Sequence, residues 1–157
     1  MPHFECVDRC RAPCRSFVAD VKLHVAVANA DYHPGVIVTC DPRDLAEGRA
    51  LAVQHPWLVA EVLSDATAAV DCGLKFEHDR LLDSLTHYLL VETARPRAEL
   101  FQRNAQGQWV LFPPGPDDVL RVDAPHALDW PIATLFEGVS FETASAVNAA
   151  AASCSKS

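Results

Sequence analysis

The stretch from residue 57 to residue 93 changes its hydrophobic period twice, and this order constrains the fold more than any other feature. Residues 57–64 are apolar except for one charge, which is typical of a buried strand. Residues 71–85 carry leucines at helical spacings, and residues 87–93 are apolar again. The strand–helix–strand order, with the further strands around it, predicts a mostly β core with one or two helices, either α/β or α+β. The helix is expected to pack on the sheet through Leu74, Leu81, Leu82 and Leu85.

The segments on either side of this unit add further strands. Residues 16–27 alternate strictly, which predicts one long strand. Its buried face would hold Phe17, Val21, Leu23 and Val25. Shorter apolar runs separated by turn signals lie at residues 36–40, 98–103, 108–112 and 119–122. We therefore expect a mixed sheet of three to five strands, closed by a short helix at residues 131–136 that has proline in its first turn.

The chain has 157 residues, of which 50% are hydrophobic and 22% are charged, and this composition predicts one folded domain. We place a leader at residues 1–15, the folded domain at residues 16–143 and a flexible tail at residues 144–157. No apolar stretch approaches the roughly 20 residues of a membrane span. The first residues also lack the pattern of a signal peptide. The sequence therefore predicts a cytoplasmic protein.

The formal net charge of −8 bears on the partners that the chain can bind. It argues against a protein that coats nucleic acid through a broad basic surface. It does not exclude an enzyme that binds nucleic acid locally, because a bound divalent metal adds positive charge that the sequence does not count.

Six cysteines are present, and three of them, Cys6, Cys10 and Cys14, are spaced four residues apart. A metal site would call for paired C-x-x-C spacings or a fourth ligand close by. In a cytoplasmic protein a disulfide framework is not expected. The spacing favours reduced thiols over a metal site, and a cysteine-rich metal-binding protein is the less favoured alternative.

Glu61 is the one charge in the apolar strand at residues 57–64, and Lys75 follows 14 positions later, early in the predicted helix. A buried carboxylate must pair, become protonated or bind metal, whereas a carboxylate near a strand end is only half-buried. Lys75 can fold back toward this strand or remain a solvated helix lysine. A carboxylate and a lysine near a metal are the minimum equipment for phosphodiester hydrolysis. Asp71 is interpreted as the helix N-cap.

The segments FVADVKLHVAVANADYHPGVIVTC (17–40), LVAEVLSDAT (58–67) and DCGLKFEHDRLLDSLTHYLLVE (71–92) resemble the Uma-two-type restriction endonucleases of the PD-(D/E)xK nuclease superfamily. The resemblance continues around Glu99 and Trp109 and through PIATLFEGVSF (131–141), so it covers residues 12–141 in unbroken order. It implies a restriction-endonuclease-like α/β core with a mixed sheet and one main flanking helix. It also implies that Glu61 is the metal-binding acid and Lys75 the catalytic lysine.

The chain departs from this pattern at three places. The family's first acidic ligand lies in a Tyr-x-Pro-Asp motif, but here Tyr32, His33 and Pro34 precede Gly35, which has no side chain to bind metal. Asp31 and His33 are the nearest candidate replacements. Asp79 stands where relatives tend to have an aromatic residue. Only 16 residues precede the first strand, so we expect the apolar face of that strand to be left partly uncovered.

Two functions follow from the resemblance and its departures. The first is a metal-dependent DNA endonuclease with Glu61 and Lys75 in its site and Mg²⁺ or Mn²⁺ as a weakly bound cofactor. The second is an inactive nuclease-fold protein that serves as a binding or dimerisation module. DNA is the expected partner of an active enzyme. A homodimer is also expected, because two strands need cutting.

Overall fold

The computed structural model describes residues 14–19, 21–46, 52–64, 71–122 and 128–141. The strands are β1 (Arg15–Val18), β2 (Lys22–Val25), β3 (Ala30–Tyr32), β4 (Val36–Thr39), β5 (Ala52–Val53), β6 (Leu58–Leu63), β7 (His87–Glu92), β8 (Ala98–Arg103), β9 (Trp109–Phe112), β10 (Val119–Val122) and β11 (Leu128–Pro131). The helices are a 3₁₀ turn (Ala26–Ala28), α1 (Pro42–Leu45), a π-helical turn (Asp71–Lys75), α2 (Phe76–Asp79) and α3 (Ile132–Leu135). Most of the predicted leader and all of the predicted tail lie outside the described residues.

A six-stranded mixed sheet forms the centre of the structure, in the order β1-β4-β6-β7-β8-β9. β6 and β7 are parallel, and the other neighbouring pairs are antiparallel. Parallel neighbours require a crossover connection, and the segment that carries the π-helical turn and α2 lies within it. The predicted α/β fold with a mixed sheet is confirmed, although this sheet has more strands than the three to five expected.

Both faces of the six-stranded sheet are buried, because β6, β7 and β8 carry apolar side chains at successive positions. On one face, here called the ribbon face, Leu58 and Ala60 of β6 pack with residues of β10 and α3. On the other, the hairpin face, Val59 and Leu63 pack with residues of β2 and β5. β2, β3 and β5 form a separate three-stranded sheet. The hairpin face is therefore covered by a small sheet as well as by helix.

The predicted single strand at residues 16–27 is wrong, since the structure divides it into β1 and β2. The chain turns at Ala19, whose φ is 54°. β1 pairs with β4 in the large sheet, whereas β2 pairs with β3 and β5 in the small one. The alternation itself persists, and Leu23 and Val25 are fully buried. The expectation that this apolar face is left partly uncovered is therefore wrong for Leu23 and Val25, whereas Phe17 and Val21 are only partly buried.

The predicted helix at residues 71–85 is much shorter in the structure. It consists of the π-helical turn and α2, which ends at Asp79. The Arg103 guanidinium donates hydrogen bonds to the carbonyl oxygens of Arg80 and Leu82, in the turn that follows the helix. Of the four leucines expected to pack on the sheet, Leu82 and Leu85 are buried, while Leu74 and Leu81 are exposed. The closing helix is confirmed as α3, with Pro131 at its N-cap.

A disulfide joins Cys14 to Cys40, which corrects the expectation that the thiols are reduced. β1 and β4 are antiparallel, with Arg15 opposite Thr39, so the two cysteines continue the register by one position. Cys6 and Cys10 lie outside the described residues, so the prediction that their thiols are reduced is not tested. Within the part of the chain that the structure describes, no helix is long and apolar enough to cross a membrane.

Candidate active site

Glu61 lies in the middle of β6, and its residue surface is 4% exposed. It follows Val59 and precedes Leu63 on the hairpin face, because alternate residues of a strand share a face. Glu61 is paired in register with Leu90 of β7. The alternative in which Glu61 is half-exposed near a strand end is therefore excluded, and its carboxylate needs polar partners.

Lys75 supplies one of these partners. Its Nζ lies 3.1 Å from Oε1 of Glu61, and the side chains are 16% and 5% exposed. The main-chain N–H of Gly35 is 3.4 Å from the other carboxylate oxygen, Oε2. The structure thus brings together Glu61 and Lys75 as the sequence predicted, and Lys75 is not a solvated helix lysine. Removing one partner of such a buried pair typically costs about 3–5 kcal/mol, because the other charge is left uncompensated.

The position of Lys75 depends on contacts with other elements, since it ends a π-helical turn and the α-helix that follows has only four residues. Such π-helical turns occur often at functional sites. Phe76, the next residue, packs at 4.6 Å from Tyr88 and 4.8 Å from Phe101, measured between ring centroids. These aromatic contacts anchor the turn on the hairpin face.

Tyr32 of β3 makes a second connection to the same segment. Lys75 Nζ lies 5.9 Å from the centroid of the Tyr32 ring, within the range of a cation–π contact. The Tyr32 hydroxyl is 2.7 Å from Nδ1 of His78 in α2. Burial raises the pKa of Tyr32 above its ordinary value, and the charge of Asp79 raises it further, while Lys75 acts in the opposite direction. The hydroxyl therefore stays protonated at neutral pH and can donate to the His78 ring.

Asp79 is fully buried in α2. Asp79 stands where relatives tend to have an aromatic residue, and it places a carboxylate in the interior of this chain.

Asp31 is directed away from Glu61. Its carboxylate lies 2.7 Å from His24 Nδ1 and 3.1 Å from Lys22 Nζ. Its neighbour Tyr32 packs on the core of the hairpin face, so Asp31 faces the opposite side of the small sheet. The hydrogen bond to His24, with that to Lys22, holds the pKa of Asp31 below its usual value. His33 is exposed. The idea that Asp31 replaces the missing acid is therefore not supported by the geometry.

The residues around Glu61 do not fit the donor set that Mg²⁺ needs. Mg²⁺ requires near-octahedral oxygen ligands and is usually held through one or two carboxylates. Here one carboxylate oxygen faces the Lys75 ammonium, and Gly35 contributes only its backbone. Among the described residues, no group of three or more His, Cys, Asp or Glu side chains could hold a metal ion. Metal ligation by Glu61 therefore stays a prediction.

Sequence reasoning missed a second charged group on the hairpin face, formed by Glu92, Arg95, Arg97 and Glu99 and here called the Arg97 cluster. Glu99 is paired in register with Leu90, which is itself paired with Glu61. Arg97 Nη2 lies 2.6 Å from Glu99 Oε1. A signal was present in the sequence, because Arg97 and Glu99 alternate with the apolar residues Ala98 and Leu100.

Comparison with known proteins identifies the family. The model of the Uma2 family, described as putative restriction endonuclease, matches residues 4–133. The chain belongs to the Uma2 family. The resemblance drawn from the sequence is thereby confirmed.

Two curated relatives from Synechocystis sp. (strain PCC 6803) are similar to this Uma2 chain, and both are named only as uncharacterized proteins. The protein sll1609 is 34% identical over 95 residues, which are 60% of this chain and 54% of the relative. The protein slr1290 is 30% identical over 128 residues, which are 82% of this chain and 66% of the relative. The chain therefore spans between about half and two thirds of the length of these relatives.

A solved structure supports the fold. The crystal structure of a putative nuclease belonging to DUF820 from Anabaena variabilis aligns with a TM-score of 0.59 and 17% sequence identity. The alignment covers 78% of this chain and 68% of the other. The fold of this Uma2 chain is therefore the restriction-endonuclease-like α/β core that the resemblance implied.

Proposed function

We propose that this chain acts on DNA, with Glu61 and Lys75 as its reaction centre, and that it hydrolyses phosphodiester bonds weakly. The observation that carries the proposal is the buried contact of 3.1 Å between Lys75 Nζ and Glu61 Oε1. A carboxylate and an ammonium held together on a sheet face of this nuclease fold are the groups that the family resemblance assigns to the reaction. Family membership supports the nuclease activity, and the geometry supports these two residues.

Lys75 would act on the phosphate through its charge. An ammonium placed near a phosphodiester stabilises the negative charge that develops on the phosphate oxygens during attack by water. Its place between Glu61 and the ring of Tyr32 limits the positions that Nζ can take. Glu61 would orient Lys75, and it would accept a hydrogen bond from a water molecule that approaches the phosphate.

Gly35 is the reason to expect a weak activity. A divalent ion generates a hydroxide nucleophile at neutral pH by lowering the pKa of its bound water. Lysine has no such Lewis acidity. Because Gly35 offers no carboxylate and an oxygen of Glu61 faces an ammonium here, we propose that Mg²⁺ or Mn²⁺ binds poorly to this chain, and we assign no step of the reaction to the ion.

The test is the nicking of supercoiled plasmid DNA in Mg²⁺ or Mn²⁺ by the unmodified chain, Glu61→Gln, Lys75→Met and a control, Glu137→Gln. Glu137 follows α3 and is exposed. We expect slow nicking that is lost in both site variants and kept in the control. Nicking that survives Glu61→Gln and Lys75→Met would place the reaction at other residues.

The second candidate function is a module that binds DNA without cleaving it. The same observation favours it, because Lys75 occupies the side of the Glu61 carboxylate that a metal ion would need. The two functions separate in one pair of measurements. DNA binding without nicking at any metal concentration supports the module, and nicking that depends on Glu61 supports the enzyme.

A further inference from the structure

The Arg97 cluster lies beside Glu61 on the same face of the large sheet. The register aligns Glu61, Leu90 and Glu99 in one row across β6, β7 and β8. Neighbouring strands are about 4.8 Å apart, so the backbones of Glu61 and Glu99 are separated by about 10 Å. The next row toward the end of β6 contains Leu63, which is paired with Glu92. Glu92 N–H in turn donates to the carbonyl oxygen of Arg97 at 2.9 Å.

These two rows differ in burial. Leu90 and Glu99 are buried, whereas the side chains of Glu92 and Arg97 are 20% and 31% exposed. Leu63 is still buried, so the row of Arg97 is buried at its β6 end and partly exposed at Glu92 and Arg97, which form a solvent-accessible margin of the hairpin face. The arginine side chain is therefore accessible to a ligand that approaches Glu61 along this margin.

Two carboxylates fix the Arg97 guanidinium. Its Nη2 lies 2.6 Å from Glu99 Oε1, and its Nε lies 3.6 Å from Glu92 Oε1. Glu92 also binds Arg95 of the same loop. Among the described residues the contacts of Arg97 involve Nη2 and Nε, so Nη1 is available to a ligand. A guanidinium presents five N–H donors in a planar fork, and it can keep one carboxylate while it binds an anion with another edge.

A comparison within the chain shows how this arrangement differs from an ordinary surface pair. Arg121 and Asp129 approach to 3.7 Å on the β10–β11 ribbon, with side chains that are 76% and 66% exposed. Glu99, in contrast, is 8% exposed, so the carboxylate that holds Arg97 is part of the interior. Arg97 is therefore held by an interior carboxylate, whereas both members of the Arg121–Asp129 pair are exposed to water.

We propose that Arg97 binds a backbone phosphate of DNA, next to the phosphate that reaches Glu61 and Lys75. This inference rests on the proposed function, and it adds a substrate-binding residue to that site. Arginine matches the geometry of phosphate through paired N–H donors. Arg95 of the same loop is paired with Glu92. Because the cluster contains two arginines and two glutamates and is neutral, the contact with phosphate rests on the N–H donors that Arg97 keeps available, and not on a local excess of positive charge.

The experiment measures the binding of a fluorescent DNA duplex by anisotropy, in EDTA so that no cleavage occurs, over a series of salt concentrations. The variants are Arg97→Gln and Arg97→Lys, and the matched control is Arg121→Gln. Arg97→Gln is expected to weaken binding several-fold and to reduce the slope of log K against log salt by about 0.9. Arg97→Lys keeps the positive charge but lacks the planar set of N–H donors, so its affinity should lie between those of the unmodified chain and Arg97→Gln. Arg121→Gln should bind like the unmodified chain.

Each outcome is decisive. Equal affinity and equal salt slope for the unmodified chain and Arg97→Gln would overturn the phosphate site while leaving the proposed function intact. No binding of DNA by the folded, unmodified chain would overturn both. If circular dichroism shows that Arg97→Gln does not fold, Arg97→Lys provides the test. An affinity for DNA equal to that of the unmodified chain would contradict phosphate binding by the planar guanidinium, and a lower affinity would support it.

Discussion

Gly35 directly precedes β4 and lies beside Glu61 of the neighbouring strand β6, with the Gly35 N–H 3.4 Å from Glu61 Oε2. A β-carbon built at position 35 has the Ala60 carbonyl oxygen and Val62 as its nearest neighbours. A β-carbon built there lies 3.2 Å from the carbonyl oxygen of Ala60, which is tighter than an ordinary contact. An aspartate at this position can thus complete a pair of carboxylates only if the backbone shifts by a few tenths of an ångström.

Removing Lys75 should destabilise the fold. Lys75→Met leaves the Glu61 carboxylate buried without its ammonium, and the free energy of unfolding should fall by about 3 kcal/mol. Urea denaturation at pH 7 measures this change. The matched control is Lys22→Met, which removes the partner of the half-exposed Asp31 and should cost no more than about 1 kcal/mol. Equal effects of the two substitutions would contradict the description of the Glu61–Lys75 pair as a buried one.

Removing the Tyr32 hydroxyl should loosen Lys75. Tyr32→Phe abolishes the hydrogen bond to His78, worth about 1 kcal/mol, and keeps the ring below Lys75. The chain has three lysines, Lys22, Lys75 and Lys156, so amine acylation followed by mass spectrometry can follow each one. The acylation rate of Lys75 should rise about fivefold relative to that of Lys22. An unchanged ratio would show that this hydrogen bond does not hold Lys75 in place.

Asp31 should stabilise the fold at neutral pH and lose this effect in acid. Its pKa is lowered in the folded state, so the carboxylate contributes stability above its unfolded pKa, and this contribution disappears as the pH falls through the lowered value. Asp31→Asn should therefore lower the Tm near pH 7 and have little effect near pH 2. Thermal melts across this range measure the difference. If Asp31→Asn abolished DNA cleavage without altering the pH dependence of Tm, Asp31 would belong to the reaction centre.

Reducing the disulfide should lower stability. Cys14 and Cys40 are 26 residues apart in sequence, and a closed loop of this size contributes about 3 kcal/mol by restricting the unfolded chain. Urea denaturation of the unmodified chain with and without dithiothreitol should show this difference. Cys14→Ser should already have the lower stability and should not respond to the reductant. A response to dithiothreitol in Cys14→Ser would assign the effect to other cysteines.

The approach of Glu61 to Lys75 could be predicted from the sequence, because a charge inside an apolar strand needs a partner and the following segment can fold back over its own strand. The break at Ala19 could not be predicted, because the alternation of apolar and polar side chains continues unchanged where the chain passes from one sheet to the other. The exposure of Leu81 could not be predicted either, because helical spacing does not reveal where a helix ends, and α2 ends at Asp79.

The position of the Arg97 cluster beside Glu61 could be recognised only from the register of the strands. Arg97 and Glu99 are two residues apart and thus share a face of β8, which the sequence already indicates. That this face is the one that contains Glu61 follows only from the pairing of Leu90 with both Glu61 and Glu99. Both faces of β7 and β8 are buried, so the hydrophobic pattern does not distinguish one face from the other, and the register depends on the loop between the two strands.

The rate of plasmid nicking in Mg²⁺ by Gly35→Asp, compared with the unmodified chain and Gly35→Ala, tests the central claim most directly. Gly35→Ala adds the same β-carbon without the carboxylate, so it controls for the contact with Ala60. We expect Gly35→Asp to nick faster than both, and we expect the addition of Glu61→Gln to remove the gain. Equal rates for Gly35→Asp and Gly35→Ala in folded proteins, or a gain that survives Glu61→Gln, would contradict that claim.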